Sequence, residues 1–129
     1  MTVFENLLIL VARILISSLF LWAGSAKLIH WKGSAEYMKS KNMPTSLLPA
    51  AVLLQILGGL SILLGYEARI GTLLLIVFII PAAIKMHDFW NIQDPMERTT
   101  QKTMFMKDVA VLGGLLVLLA TGAGRFAFN

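Results

Sequence analysis

The sequence contains no cysteine. Disulfides, thiolate catalysis and cysteine-ligated zinc or iron–sulfur sites are therefore closed to this chain acting alone. Charge is scarce too. Asp, Glu, Lys and Arg make up 14% of the 129 residues, against about 25% in an ordinary soluble domain. The only histidines are His30 and His87. Two histidines with scattered carboxylates do not compose a metal site, so none is expected, and haem would need further ligands. The chain also lacks a Walker loop, a dinucleotide-binding glycine fingerprint after a strand and a helical HExxH. Ser17, Ser18 and Ser25 have no histidine and carboxylate at their depth. Hydrolase and nucleotide-dependent chemistry find no support, and no self-sufficient catalytic motif remains.

What the sequence has in abundance is apolar surface. Hydrophobic residues make up 57% and the mean hydropathy is +0.78. A soluble chain of this size would leave large apolar patches in water and aggregate. Lipid removes that conflict, so the bilayer is the first expected partner. Four apolar runs stand out, at 7–26, 47–65, 70–86 and 106–123, the first broken only by Arg13. A span takes about 20 residues. The third and fourth runs are short but are extended by Lys85, which snorkels, and by Met104 to Met106. The expected fold is all-α: an integral membrane four-helix bundle with antiparallel neighbouring spans, one domain over 1–129. The first residues lack a basic n-region, so the first run reads as a retained span rather than a signal peptide.

Local signals refine the connections. Gly65 is the expected C′ residue of a tight helical hairpin at 65–69. Residues 34–42 suit a short interfacial helix, stopped by Pro44, and Pro49 suits the first turn of the second span. Residues 95–107 suit a helix running into the fourth span. Pro81 predicts a local kink. Gly24, Gly58, Gly59, Gly113 and Gly114 are the expected points of close helix approach.

Eight of the eleven Lys and Arg residues lie in loops 27–46 and 85–108. The loops carry Lys27, Lys32, Lys39 and Lys41, then Lys85, Arg98, Lys102 and Lys107. Arg69 and Arg125 lie on the opposite side. The positive-inside rule puts both Lys-rich loops in the cytoplasm and both termini outside. The net charge of +4 thus reads as topology and anionic-lipid contact, and nucleic acid is not an expected partner.

Two constellations could carry chemistry. Arg13 lies roughly 12 Å inside the first span at 1.5 Å per residue. A charge at that depth costs about 2.5–3.5 kcal/mol and faces the bundle interior. Gln55, ten residues before Gly65, is counted to a similar depth, so an intramembrane polar pair of Arg13 and Gln55 is expected. It reads either as a structural clamp or as a polar ligand site. The second constellation is a basic, aromatic mouth at the loop 27–46 and 85–108 side. Lys27 ends one span, His87 ends another, Lys107 begins the last, and Trp31 and Trp90 lie at the same level. Lys85, Asp88 and Asp108 share this face. These residues are candidates for holding a quinone ring or a lipid headgroup, with His87 near neutral pH for proton transfer. Anchoring of helix ends by lysine and tryptophan is the alternative reading.

The order of motifs resembles one family. Arg13 is followed by Phe20-Leu-Trp-Ala-Gly-Ser-Ala-Lys27, then Gln55-Ile-Leu-Gly-Gly-Leu-Ser-Ile-Leu-Leu-Gly65 and Met86-His-Asp-Phe-Trp90. Phe105-Met-Lys-Asp-Val-Ala-Val-Leu-Gly-Gly114 and Gly122-Ala-Gly-Arg125 complete the series. This pattern, over 7–125, resembles the DoxX family of small bacterial four-span inner-membrane proteins. The resemblance implies a link to redox metabolism, in which some relatives look like membrane subunits of thiosulfate:quinone oxidoreductases and others belong to complexes that counter oxidative stress. It implies quinone as ligand, an oxidoreductase partner protein, and at most the role of a membrane subunit in catalysis. It is compatible with a homo-oligomer. It also leads one to expect Glu where this chain has Gln55 and Asn where it has Asp108. A non-catalytic assembly or scaffold protein, or a small-molecule carrier, fits the same residues.

The charge distribution makes the orientation testable. A reporter fused after Asn129 is expected to be active only outside the cytoplasm. Cytoplasmic activity of that fusion contradicts the assignment.

Overall fold

A computed structural model describes residues 1–128. Helix α1 runs Val3–Ile29, α2 Trp31–Ser40, α3 Leu48–Leu64, α4 Ala68–Met86 and α5 Pro95–Thr121. Single 3₁₀ turns at Thr45–Leu47 and Phe89–Asn91 precede α3 and α5. No strand occurs among the described residues. Four of the helical segments are long and apolar enough to cross a bilayer. The fold is the all-α membrane bundle expected from the apolar runs.

Each boundary has a local cause. Thr2 caps α1 by accepting a hydrogen bond from the Glu5 amide at 3.0 Å. Asp94 does the same for α5 through the Glu97 amide at 2.9 Å, with Pro95 at the first helical position. Pro49 lies in the first turn of α3, and Gly65 ends it in the left-handed region at φ +71°. The interfacial helix begins at Trp31, three residues before the expected start. Helix α4 continues unbroken across Pro81. The ring gives the Val77 carbonyl no amide hydrogen.

Helix α1 packs on α3, α3 on α4 and α4 on α5, with α5 returning more lightly onto α1. Phe20, Ile62, Leu75, Ile79, Leu115 and Leu118 form the central core, and Met38, Leu48 and Val52 form a smaller one beneath α2. Gly58 and Gly59 set the spacing. A Cβ on Gly58 would come within 2.7 Å of Leu75, and one on Gly59 within 2.9 Å of Leu21. Gly114 meets Ile16 in the same way, whereas Gly113 faces open space. The expected contact at Gly113 is thus absent within the described chain.

These contacts fix the register of α1 on α3. Gly24 stands opposite Gln55 and Ile56, and Leu21 opposite Gly59. Gly59→Val must push α1 from α3. The expected loss is about 1–3 kcal/mol, read as a lower midpoint of thermal unfolding in detergent. The same change at Gly113 is expected to leave the midpoint unchanged, and equal effects at both positions contradict this packing.

Candidate functional site

The two ends of the bundle differ in kind. At the end shared by the α3–α4 turn and the C-terminal residues, the polar groups are closed on one another. Arg13 is 1% exposed. Its Nε donates to the Ile62 carbonyl at 2.8 Å and Nη2 to Leu63 at 2.9 Å. Its Nη1 donates to the carbonyls of Ala123 and Phe126. The last carbonyls of a helix have no partner within it and carry the negative end of its dipole. Arg13 therefore caps α3 and ties residues 122–128 across the bundle end. The Phe128 amide reaches the Leu64 carbonyl at 3.0 Å, and the Tyr66 amide reaches Ser61 at 3.1 Å, so all four terminal carbonyls of α3 are paired. Asn6 holds the same segment by accepting from the Arg125 amide at 2.7 Å. Arg69 repeats the device on α5 through the carbonyls of Leu119 and Ala120, both at 3.1 Å.

The expected Arg13–Gln55 pair does not form. Arg13 lies level with the end of α3, and Gln55 stands opposite Gly24, near the other end of α1. Depths counted from the ends of apolar runs overlooked that α1 extends past α3. Gln55 is 3% exposed, and its Oε1 has no hydrogen-bond partner among the described residues. A buried amide oxygen without a donor costs about 1–3 kcal/mol.

At the opposite end the polar groups surround space. A cavity of about 720 Å³ lies beneath α2, between α1, α3, α4 and α5. Lys27 and His30 of the α1 end, Ser34, Tyr37, Gln55, His87 and Asp108 are its polar lining. Phe20, Phe78 and Met38 contribute apolar wall, as do Val77 and Pro81 on either side of the missing helical hydrogen bond. Trp22, Leu47 and Val77 also line it and are 70%, 47% and 60% exposed, so the cavity reaches the lipid-facing surface.

Its charged edge is ordered. His87 Nδ1 lies 2.8 Å from Gln101 Oε1, and Nε2 lies 3.6 Å from Asp108 Oδ2. With the Gln101 side-chain oxygen as acceptor, Nδ1 carries hydrogen, and Nε2 faces Asp108. The Lys27 ammonium stands 5.8 Å from the Phe78 ring centre. Helix α2 is fastened over the cavity at two points. The Tyr37 hydroxyl donates to the Met86 carbonyl at 2.6 Å, and Lys41 pairs with Asp88 at 2.6 Å. Burial pushes the Tyr37 phenol above its ordinary value, so it stays a donor. The hydrogen bond to Asp88 holds the Lys41 ammonium charged above the usual lysine range.

The structure brings together Lys27 and His87 of the expected mouth. Trp31, Trp90 and Lys107 are not part of the cavity lining. Lys107 is exposed on the outer face of α5 beside Thr103 and Met106. Trp90 packs edge-on against Phe89 and Phe105 at 5.2 and 5.7 Å between ring centres. Trp31 sits at the start of α2, 40% exposed. Tyr37 and Gln101 are site residues that no motif marked. Their helical faces were the available signal: His30, Ser34, Tyr37 and Met38 form the one stripe of the α2 segment that points inward.

With this arrangement in view, the model of the DoxX family matches residues 8–88. The chain belongs to the DoxX family. It is 34% identical over 125 residues to inner membrane protein YqjF of Escherichia coli (strain K12), covering 97% of this chain and 92% of that one. It is 28% identical over 124 residues to inner membrane protein YphA of the same strain, covering 95% and 88%. A shorter match, 32% over 66 residues, is to protein T02E1.7 of Caenorhabditis elegans, covering 51% of this chain and 24% of that one. No solved structure matches. The stretch matching the DoxX model contains Arg13, Lys27, Gln55 and His87 and ends before α5 contributes Gln101 and Asp108.

The clamp at the closed end predicts a specific failure. Arg13→Met leaves the carbonyls of Leu63, Ala123 and Phe126 without their donor and Ile62 with the Gly65 amide alone, at an expected cost of at least about 2 kcal/mol. Arg13→Lys recovers only part of this, because an ammonium has no planar fork. Thermal unfolding and proteolysis of residues 122–128 read the effect. An unchanged midpoint with a protected C-terminal segment in Arg13→Met contradicts the clamp.

Proposed function

We propose that this DoxX-family protein is the membrane-embedded, quinone-binding subunit of an oxidoreductase assembly in the bacterial inner membrane. The observation that carries the reading is the cavity beneath α2, about 720 Å³ and open towards lipid. That volume lies within the usual range for small-molecule sites. Its walls are mostly apolar, and its few polar groups converge from α1, α2, α3, α4 and α5, which suits an amphiphile with a flat ring and a lipid tail. Lys27 donates to a ring oxygen, Phe78 offers a flat wall beside it, and the tail leaves past Trp22.

Reduction of a quinone to the quinol takes up two electrons and two protons. The partner oxidoreductase supplies the electrons. The His87–Asp108 pair, at the edge of the cavity, holds and passes protons from the Lys-rich face. That face is cytoplasmic by the positive-inside rule, which puts the partner there when it is a soluble protein. The inner-membrane location follows the names of the two Escherichia coli relatives.

Purification in mild detergent followed by lipid extraction and mass spectrometry tests the reading. Co-purified quinone near one per chain is expected, with saturable binding of a short-tailed quinone that quenches Trp22 fluorescence. Lys27→Ala is expected to weaken binding about tenfold, the loss of one hydrogen bond to a charged group, and His87→Ala is expected to slow quinol formation by the partnered assembly while binding persists. Lys107→Ala is expected to be silent. No co-purified quinone together with no saturable binding contradicts the proposal.

A further inference from the structure

Gln55 brings to the cavity a buried amide oxygen that nothing among the described residues satisfies. Lys27 has the Phe78 ring, His87 has Gln101 and Asp108, and Tyr37 has the Met86 carbonyl. The Gln55 side chain is 97% buried and lines the cavity. Its oxygen has no donor among the described residues. Gly24 makes this placement possible. A Cβ there would come within 3.2 Å of Gln55 Cβ and 2.8 Å of Ile56, so the backbone of α1 presses the amide's stem in place.

An amide is both donor and acceptor. A ligand group that answers it in both directions is a hydroxyl, which gives its hydrogen to the carbonyl and takes one from the NH₂. A ring carbonyl only accepts and would leave the Gln55 oxygen unpaired. Resting on the cavity reading above, we infer that Gln55 selects the hydroxylated form of the ring: the site binds the quinol in preference to the quinone. Lys27 does not make this distinction, because an ammonium donates to either oxygen. A glycerol hydroxyl of a lipid headgroup offers Gln55 the same bonding, and the assignment here is to the ring.

The purified full chain in detergent is titrated anaerobically with a short-tailed benzoquinol and separately with its quinone, for the native protein and for Gln55→Met. Methionine keeps the bulk and removes both hydrogen bonds. Native protein is expected to bind the quinol about tenfold more tightly, and Gln55→Met is expected to bring the two affinities together, because the quinol loses two hydrogen bonds and the quinone one. Equal affinities in the native protein overturn the inference without any variant. So does a quinol preference that survives Gln55→Met, or a substitution that weakens both ligands alike. Binding of neither ligand overturns the cavity reading itself. In a second arm, dioleoyl phosphatidylglycerol is added as competitor. Its failure to displace quinol supports the ring assignment, and Gln55-dependent displacement overturns it.

Discussion

A guanidinium buried among backbone carbonyls organises this membrane protein. Arg13 is 1% exposed, and its bonds go to the backbone carbonyls of Ile62, Leu63, Ala123 and Phe126. A charge removed from water is tolerated only when it is well paired. Here the partners are the negative end of the α3 dipole and a returning segment of backbone. The same bonds relieve α3 of carbonyls that would otherwise be orphaned. Gly65 must be glycine for two reasons at this point. Its φ is positive, and a Cβ would meet Arg13 Nη2 and Ala127. One end of the bundle is thereby sealed and rigid.

The other end shows the opposite economy of space. Helix α5 touches α1 at Gly114, yet towards Lys27 the two diverge around a cavity, which α2 covers through Tyr37 and Lys41. Pro81 weakens the α4 ladder beside that cavity, at the Val77 carbonyl. A sealed end and a hollow end divide the molecule: the first holds the four spans in register, and the second encloses a polar-edged chamber that reaches the lipid-facing surface. The residues that stand out in the sequence follow this division, with Arg13 and Gly65 at one end and Lys27 and His87 at the other.

Much of the fold was legible in the sequence because lipid imposes a strong code. The four apolar runs, the Gly65 turn, the Pro49 start and the helix running from Pro95 into the last span all have one-dimensional signatures. The inward face of Arg13 was legible too, since a lone charge in an apolar run has nowhere else to go. Its partners were not, because backbone carbonyls look alike in any sequence. Gln55 was singled out for the wrong neighbour: register is set by Gly24 and Gly59 touching α3 and α1, and depth counting does not see it. At the hollow end, sharing a membrane face did not mean sharing a site. Lys107 and Asp108 are adjacent in sequence, and about 100° of helical rotation sends one to the surface and the other to the cavity. Trp31 is likewise one residue off the inward stripe of α2.

The central claim is that a ring-bearing lipid occupies the chamber beneath α2. Photolabelling tests it most directly. A photoreactive short-tailed quinone is activated in membranes containing the protein, and the adducts are mapped by peptide mass spectrometry. The account predicts adducts on the cavity wall, at Trp22 to Lys27, at Gln55 and at Val77 to Met86, all competed away by unlabelled quinol. Adducts confined to the outer face of α5, or labelling that excess quinol does not reduce, would contradict it.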